Sequence, residues 1–320
     1  VKAVKVKVFC SPHWLELQGK ALSIWHCAQG KGLSPLLIVP TTNMRSHWLS
    51  VLAEELKGVS GDSVLVLDLL AYRLAALCAE KLVRLSQPLE QKLAAIIALS
   101  RLNLPKEWER VGIISAFLNT VEELELHDLS PDEVKNSFPK DERIPILTQW
   151  WRAWKEVLHG QGLWSLGDAL KAAIECLREG KVNPPKAQTV LVYGFTALTS
   201  ARWEFLKELL KRMDYGNLTV FFFTLVNIEN EKDYGYVMSL LNRLKSEFNA
   251  DVCCLQSNLP DEIKLLPTLL FRRHKPKEKL QPTDRIVHVA AAGEEQELEM
   301  AVRLLVYWRR SGQLSRLNDV

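Results

Sequence analysis

Two places in this chain carry residue types where phosphate and metal chemistry would be sought. The first is Gly19-Lys20, shortly behind the apolar run that ends at Cys10. A loop that cradles phosphate needs Gly-x4-Gly-Lys-Ser/Thr: the glycines let backbone N–H groups close on the phosphates, the lysine reaches them, and the hydroxyl holds Mg²⁺. Here the position five before Gly19 is Trp14, and the one after Lys20 is Ala21. Pro12, Leu15 and Leu17 add further bulk, so a working phosphate loop is not expected. The second place is Val190–Thr199, a buried-strand run that ends at Gly194 and leads into a helix start. In a nucleotide-hydrolysing α/β fold, the end of such a strand carries the carboxylates that hold Mg²⁺. Tyr193, Gly194 and Phe195 stand there instead. The expectation is a motor-like scaffold without the motor's chemistry.

Other candidate groups read as structural. Cys10, Cys27, Cys78, Cys176, Cys253 and Cys254 form no C-x-x-C and no zinc spacing, and are expected to be reduced, buried thiols. The histidines show no H-x-x-x-H and no pairing with a nucleophile. Pro131-Asp132 and Pro260-Asp261 each open a helix or loop, which is a capping pattern. Trp150, Trp151 and Trp154 could stack bases, but their spacing is that of a helix burying one face.

Nucleic-acid contacts have three candidate sets. Thr41, Thr42 and Asn43 follow the second strand and look like a helix N-cap. Capping and phosphate contact use the same groups, so both roles are compatible. Thr196 and Thr199 face the same choice. Arg272, Arg273, Lys275 and Lys277 could neutralise phosphates along a single strand, or form a solvated linker.

The elements that would position these residues fall into zones. Residues 1–71 alternate strand and helix, which implies parallel pairing with right-handed crossovers. Residues 72–180 are almost purely helical, with a capping box at Ser130–Glu133, and read as an insertion. From residue 181 strands and helices alternate again, with strands at 189–193, 218–223 and 251–255, up to a proline-punctuated linker. Another strand (286–289) and helix (294–310) follow, and 317–320 look like a strand just beginning, so the chain is expected to be an N-terminal piece of a longer protein. The expected division is an α/β core of 1–71 and 181–281, a helical insertion of 72–180, and a second α/β lobe starting at 282. Composition agrees with a globular protein: 320 residues, 48% hydrophobic and 25% charged. The net charge of +3 is too mild to demand a nucleic-acid partner. No apolar run approaches the roughly 20 residues of a bilayer span, and the alternating N-terminus is no signal peptide. A cytoplasmic location is expected.

The strand 190–193 with Gly194-Phe195-Thr196-x-x-Thr199, the segment Leu36–Pro40, and the stretch Val289–Val302 followed by Asn318-Asp319-Val320 resemble, in that order, the AddB/RexB family. These are the B subunits of bacterial ATP-dependent helicase–nucleases, with RecC a remoter relative. The resemblance implies a P-loop-NTPase-like parallel sheet of the UvrD-like helicase type (1A-like), an inserted helical subdomain (1B-like) and a second, 2A-like lobe. It implies DNA ends, single- or double-stranded, as substrate, an AddA-type helicase–nuclease as partner, and a role in double-strand break repair by recombination. It also places a nuclease domain with an iron–sulfur cluster and Mg²⁺ after residue 320, leaving no cofactor in this region. The sequence departs from the family at the phosphate loop and at Tyr193, where some members carry an acid, so an ATPase-silent, DNA-binding region is the leading expectation. An active NTPase with a divergent site and a non-enzymatic scaffold for a partner are the alternatives.

Overall fold

The computed structural model describes residues 4–11, 13–56, 59–102, 111–213, 218–225, 235–255 and 294–311. It divides into two compact units, Val1–Asn258 and Leu259–Val320. In the second unit the described structure is a helix, Glu294–Arg310. The expected strands at 286–289 and 317–320 lie outside the described residues, as do Arg272, Arg273, Lys275 and Lys277.

The first unit is built on a parallel sheet. Its strands are β1 (Lys5–Ser11), β2 (Pro35–Val39), β3 (Val64–Val66), β6 (Thr189–Tyr193), β7 (Thr219–Leu225) and β8 (Asp251–Cys254), in the spatial order β3-β2-β6-β7-β1-β8. Every pairing is parallel. Central parallel strands lose both faces to helices and so read as continuous apolar runs. Accordingly, every residue of β2 and of β6 is buried.

The chain winds in both directions. From β1 it passes through α1 (Trp14–Gly30) to β2, then through α2 (Thr42–Leu56) to β3. Leu17, Trp25, Trp48 and Leu52 from these helices pack on Phe9, Leu37, Val39 and Tyr193, one face of the sheet. The opposite face carries Val8, Ile38, Val192 and Phe222, and it is covered by α3 (Leu67–Cys78), α8 (Leu166–Glu179), α9 (Ser200–Met213) and α10 (Gly235–Phe248). Right-handed crossovers require this arrangement, because reversing the direction of travel across a sheet moves the connecting helix to the other face. The α/β class with a parallel sheet, expected from the strand–helix alternation, is thus observed.

The helical stretch differs from its expected bounds. α3 leaves β3 directly at Leu67, and the buried residues of α3 and, Ala169 apart, of α8 belong to the sheet's core. The helices with a core of their own are α4 (Pro88–Ser100), α5 (Val111–Leu126), α6 (Pro131–Ser137) and α7 (Arg143–Gly160). A short parallel ribbon of β4 (Arg84–Leu85) and β5 (Leu163–Trp164) joins the two chain segments that lead into and out of this group. Trp150, Trp151 and Trp154 are buried in it. Trp150 stacks on Phe117 at 3.8 Å and donates to the Ala95 carbonyl at 2.8 Å. Trp154 donates to the Gln91 carbonyl and Trp151 to Glu125. These rings are spent on packing, not on bases. Ser130 caps α6 with Glu133 as expected, and Asp132 pairs with Arg152 at 2.5 Å. Among the described residues no helix is long and apolar enough to cross a membrane.

Candidate functional site

Open parallel sheets bind ligands beyond the carboxyl ends of their strands. At that edge β1 ends at Ser11 and α1 begins at Trp14, so Pro12 and His13 alone connect them. A phosphate-cradling loop has no room in such a junction. Ser11 instead closes the corner: its hydroxyl accepts from the His13 N–H at 3.0 Å and donates to the Glu16 carboxylate at 2.5 Å. Glu16 lies in the first turn of α1, where the helix dipole favours a negative charge. The place a phosphate would occupy is therefore already served by an internal anion. Lys20 stands over an aromatic ring of β1, its Nζ 5.2 Å from the centroid of Phe9.

The end of β6 is packed with aromatic rings. Trp14 meets Tyr193 edge to face at 4.6 Å, and Trp48 meets it at 4.7 Å. Phe223 of the neighbouring β7 lies 5.5 Å away. The Tyr193 hydroxyl donates to the Trp14 carbonyl at 3.4 Å, and burial pushes the phenol well above its usual pKa. A neutral phenol in an apolar cage cannot do the work of a metal-binding carboxylate.

Gly194 turns the chain out of this cage. Its φ of +84° is left-handed, and a Cβ there would lie 2.5 Å from Met44 Sδ and 2.9 Å from Met44 Cε. The turn after β6 thus touches the start of α2, which follows β2. In this way the candidate sets Thr41–Asn43 and Thr196–Thr199 come to the same edge, on adjacent strands. Thr41 is a true cap: its hydroxyl accepts from the Met44 N–H at 3.2 Å, and its carbonyl accepts from Arg45. Thr41, Thr42, Asn43 and Thr196 are exposed. Thr199 differs from expectation. Its carbonyl accepts from the Trp203 N–H, but among the described residues its buried hydroxyl has no hydrogen-bond partner.

Long-range pairs that no local pattern signals brace this edge. Arg202 at the start of α9 forms a bidentate pair with Asp68 at the start of α3, at 2.9 and 2.8 Å. Arg45 donates to the carbonyls of Val64 and Gly61, both at 2.9 Å, tying α2 to β3.

A second polar cluster joins the helical group to the sheet layer. Lys155 on α7 contacts Glu125 on α5 at 2.5 Å and Asp168 on α8 at 2.7 Å, and its Nζ donates to Ser165 Oγ at 2.6 Å. A lysine beside a serine hydroxyl resembles a base–nucleophile pair. Two carboxylates pair with this lysine, however, and Ser165 is engaged as the N-cap of α8, accepting from the Asp168 N–H at 3.2 Å. Burial would raise the Asp168 carboxyl, but the His159 hydrogen bond and Lys155 outweigh it and hold Asp168 well below the usual range. The arrangement is a structural joint. Gly167 lets it close, since a Cβ there would fall 2.5 Å from Glu125 Oε2.

The thiols differ in part from expectation. Cys10 and Cys176 are buried, whereas Cys27, Cys253 and Cys254 are exposed.

No family model matches the chain, and no curated protein matches it in sequence.

Proposed function

We propose that this chain is a DNA-binding, ATPase-silent, helicase-like region of a helicase–nuclease subunit that acts at double-strand breaks in end resection and recombination. In this reading the group α4–α7 is the 1B-like subdomain of a UvrD-like scaffold, and a partner helicase supplies ATP-driven movement. The observation that carries the proposal is the seating of Trp14 on Tyr193 across the short β1–α1 junction, at the corner of a parallel sheet where a triphosphate and its metal would lie. The resemblance in Val190–Thr199 and Leu36–Pro40 supplies the family.

The exposed hydroxyls and amide of Thr41, Thr42, Asn43 and Thr196 offer neutral hydrogen-bond groups to a sugar–phosphate backbone. A single strand would cross the ends of β2 and β6, where these residues stand. Binding of this kind draws on backbone contacts and weakens steeply with salt. The test is fluorescence anisotropy of a labelled single-stranded oligonucleotide at low and high salt, together with an ATPase assay of the same protein. Binding without hydrolysis supports the reading; absence of binding at low salt, or ATP turnover, refutes it.

A scaffold that docks a partner is favoured by one observation. α4 buries Ala94, Ala95, Ala98 and Leu99 on one side and turns Leu89, Leu93, Ile96 and Ile97 to solvent on the other, with Leu89 68% exposed. A helix apolar on both sides is usually covered on both. Substituting Leu93 and Ile96 by glutamate would abolish copurification of a partner helicase–nuclease in that case, while leaving DNA binding intact.

A further inference from the structure

The face of the sheet under α1 and α2 is covered over only part of its width. Among the described residues these are the helices packed on it, and its buried side chains come from β2, β3, β6 and the later residues of β1 and β7. β8 has no buried residue. Successive residues of a strand point to opposite faces. Val6, Val8 and Cys10 of β1 enter the core on the far side, which leaves Lys5, Lys7 and Phe9 on the side of α1. The register sets Lys7 between Phe221 of β7 and Asp251 of β8, and Phe9 between Phe223 and Cys253. Lys5, Asp251 and Cys253 are exposed, and Lys7 and Phe221 are half-buried. Phe221 stacks on Phe9 with ring centroids 6.1 Å apart. From α1, Lys20 stands over the same row through its contact with the Phe9 ring. Among the described residues no ion pair holds Lys5, Lys7 or Lys20.

We propose that this open row, Lys5, Lys7 and Lys20 around Phe221, is a cationic track for the sugar–phosphate backbone of a single strand. Resting on the reading of the chain as a single-strand binder, the row supplies the charge that the strand ends do not. Thr41, Thr42, Asn43 and Thr196 are neutral, and neutral donors release no counterions. Salt-dependent binding comes from lysine and arginine meeting phosphate. Lys5 and Lys7 are two residues apart on one strand, which separates their Cα atoms by about 6.6 Å. That is close to the span of one nucleotide in an extended single strand. Phe221 beside Lys7 gives a base a ring to lie against, and such stacking is indifferent to sequence. Opposite Lys7 stands one carboxylate, Asp251. Glu16, at the start of α1, is engaged by the Ser11 hydroxyl. Three cations against one carboxylate on the row favour a polyanion, and the aromatic ring among them favours a nucleic acid over an acidic peptide.

Two measurements on the whole chain test this. In the first, lysines are acetylated with and without a single-stranded oligonucleotide and mapped by mass spectrometry. Protection of Lys5, Lys7 and Lys20 is expected, with Lys92, Lys135 and Lys140, exposed on the helical group, left reactive. Equal protection of both sets, or protection of the second set alone, overturns the proposal. Protection of the row by polyglutamate as strong as that by the oligonucleotide overturns it too. The footprint needs no substitution, so it decides the matter even where a variant folds poorly. In the second, fluorescence anisotropy across a salt series compares wild type with the triple variant Lys5→Gln, Lys7→Gln, Lys20→Gln. The slope of log affinity against log salt should fall by about 2, at roughly 0.7 per phosphate contact on a single strand. Glutamine at Lys92, Lys135 and Lys140 makes the same change of net charge away from the row and should leave the slope as it is. An unchanged slope in the first variant, or an equal fall in both, overturns the row and leaves single-strand binding standing. Wild type that binds no strand at low salt removes the reading and the row together.

Discussion

Trp14 and Tyr193 stand far apart in sequence, yet their rings meet edge to face at 4.6 Å and the tyrosine hydroxyl donates to the tryptophan's own carbonyl. The pair closes the corner between β1 and β6 by apolar contact and one hydrogen bond.

Removing the indole should loosen this corner without creating a nucleotide site. Trp14→Ala is expected to cost about 2–3 kcal/mol, a reduced figure for a half-buried ring. Urea unfolding measures that loss. Isothermal titration with MgATP should detect no binding to either wild type or variant; a millimolar or tighter site in Trp14→Ala would show that the corner is merely plugged.

Gly194 is required twice over, by its left-handed backbone and by the nearness of Met44. Gly194→Ala should destabilise the protein by about 2–4 kcal/mol from strain and overlap together. Met44→Ala in the same chain should return only the steric share. A double-mutant cycle separates the two, and an additive result would show that Met44 yields freely.

Acid should attack the joint of Lys155, Glu125 and Asp168. A carboxyl whose folded pKa is depressed contributes stability that is fully present above its unfolded value of about 3.9 and is lost as pH falls toward the folded one. Wild type should therefore lose more stability between pH 6 and pH 3 than Asp168→Asn does. Chemical unfolding at the two pH values reads the difference, and equal losses would exclude Asp168 from acid sensitivity. Lys155→Met leaves two carboxylates facing each other and should cost about 3–5 kcal/mol at pH 7.

For the proposed DNA contacts, stability and binding should separate. Thr41→Ala loses the cap of α2 and should cost about 1 kcal/mol. Asn43→Ala and Thr196→Ala touch exposed groups and should leave stability within about 0.5 kcal/mol. If a strand crosses this edge, Thr196→Asp weakens oligonucleotide binding roughly tenfold by setting a charge against phosphate, an effect that salt reduces. Unchanged affinity in that variant would move the interface elsewhere.

The parts of the fold that were legible in the sequence are those set by local pattern. Leu36–Val39 and Val190–Tyr193 read as buried strands because both of their faces are covered, and Ser130–Glu133 announced its helix start by side-chain spacing alone. The limits of the helical group were not legible. The apolar stripes of α3 and α8 look the same whether they face a sheet or other helices, since periodicity marks a buried face and not what lies against it. At the candidate site, missing glycines and carboxylates were visible as residue types. What fills their place was not, because Glu16 with Ser11 and Trp14 with Tyr193 are matched by the fold. Arg202 and Asp68, 134 positions apart, leave no trace in any local window.

The tight corner between Ser11 and Trp14 also bears on protein engineering. A triphosphate cradle could not be restored here by swapping side chains one at a time. Residues would have to be inserted to lengthen the turn, the glutamate removed from the first helical turn, and the indole evicted together with its tyrosine neighbour. Each alteration alone would weaken the scaffold and gain nothing, so an active version of this corner is separated from the present one by an insertion that no series of point mutations supplies.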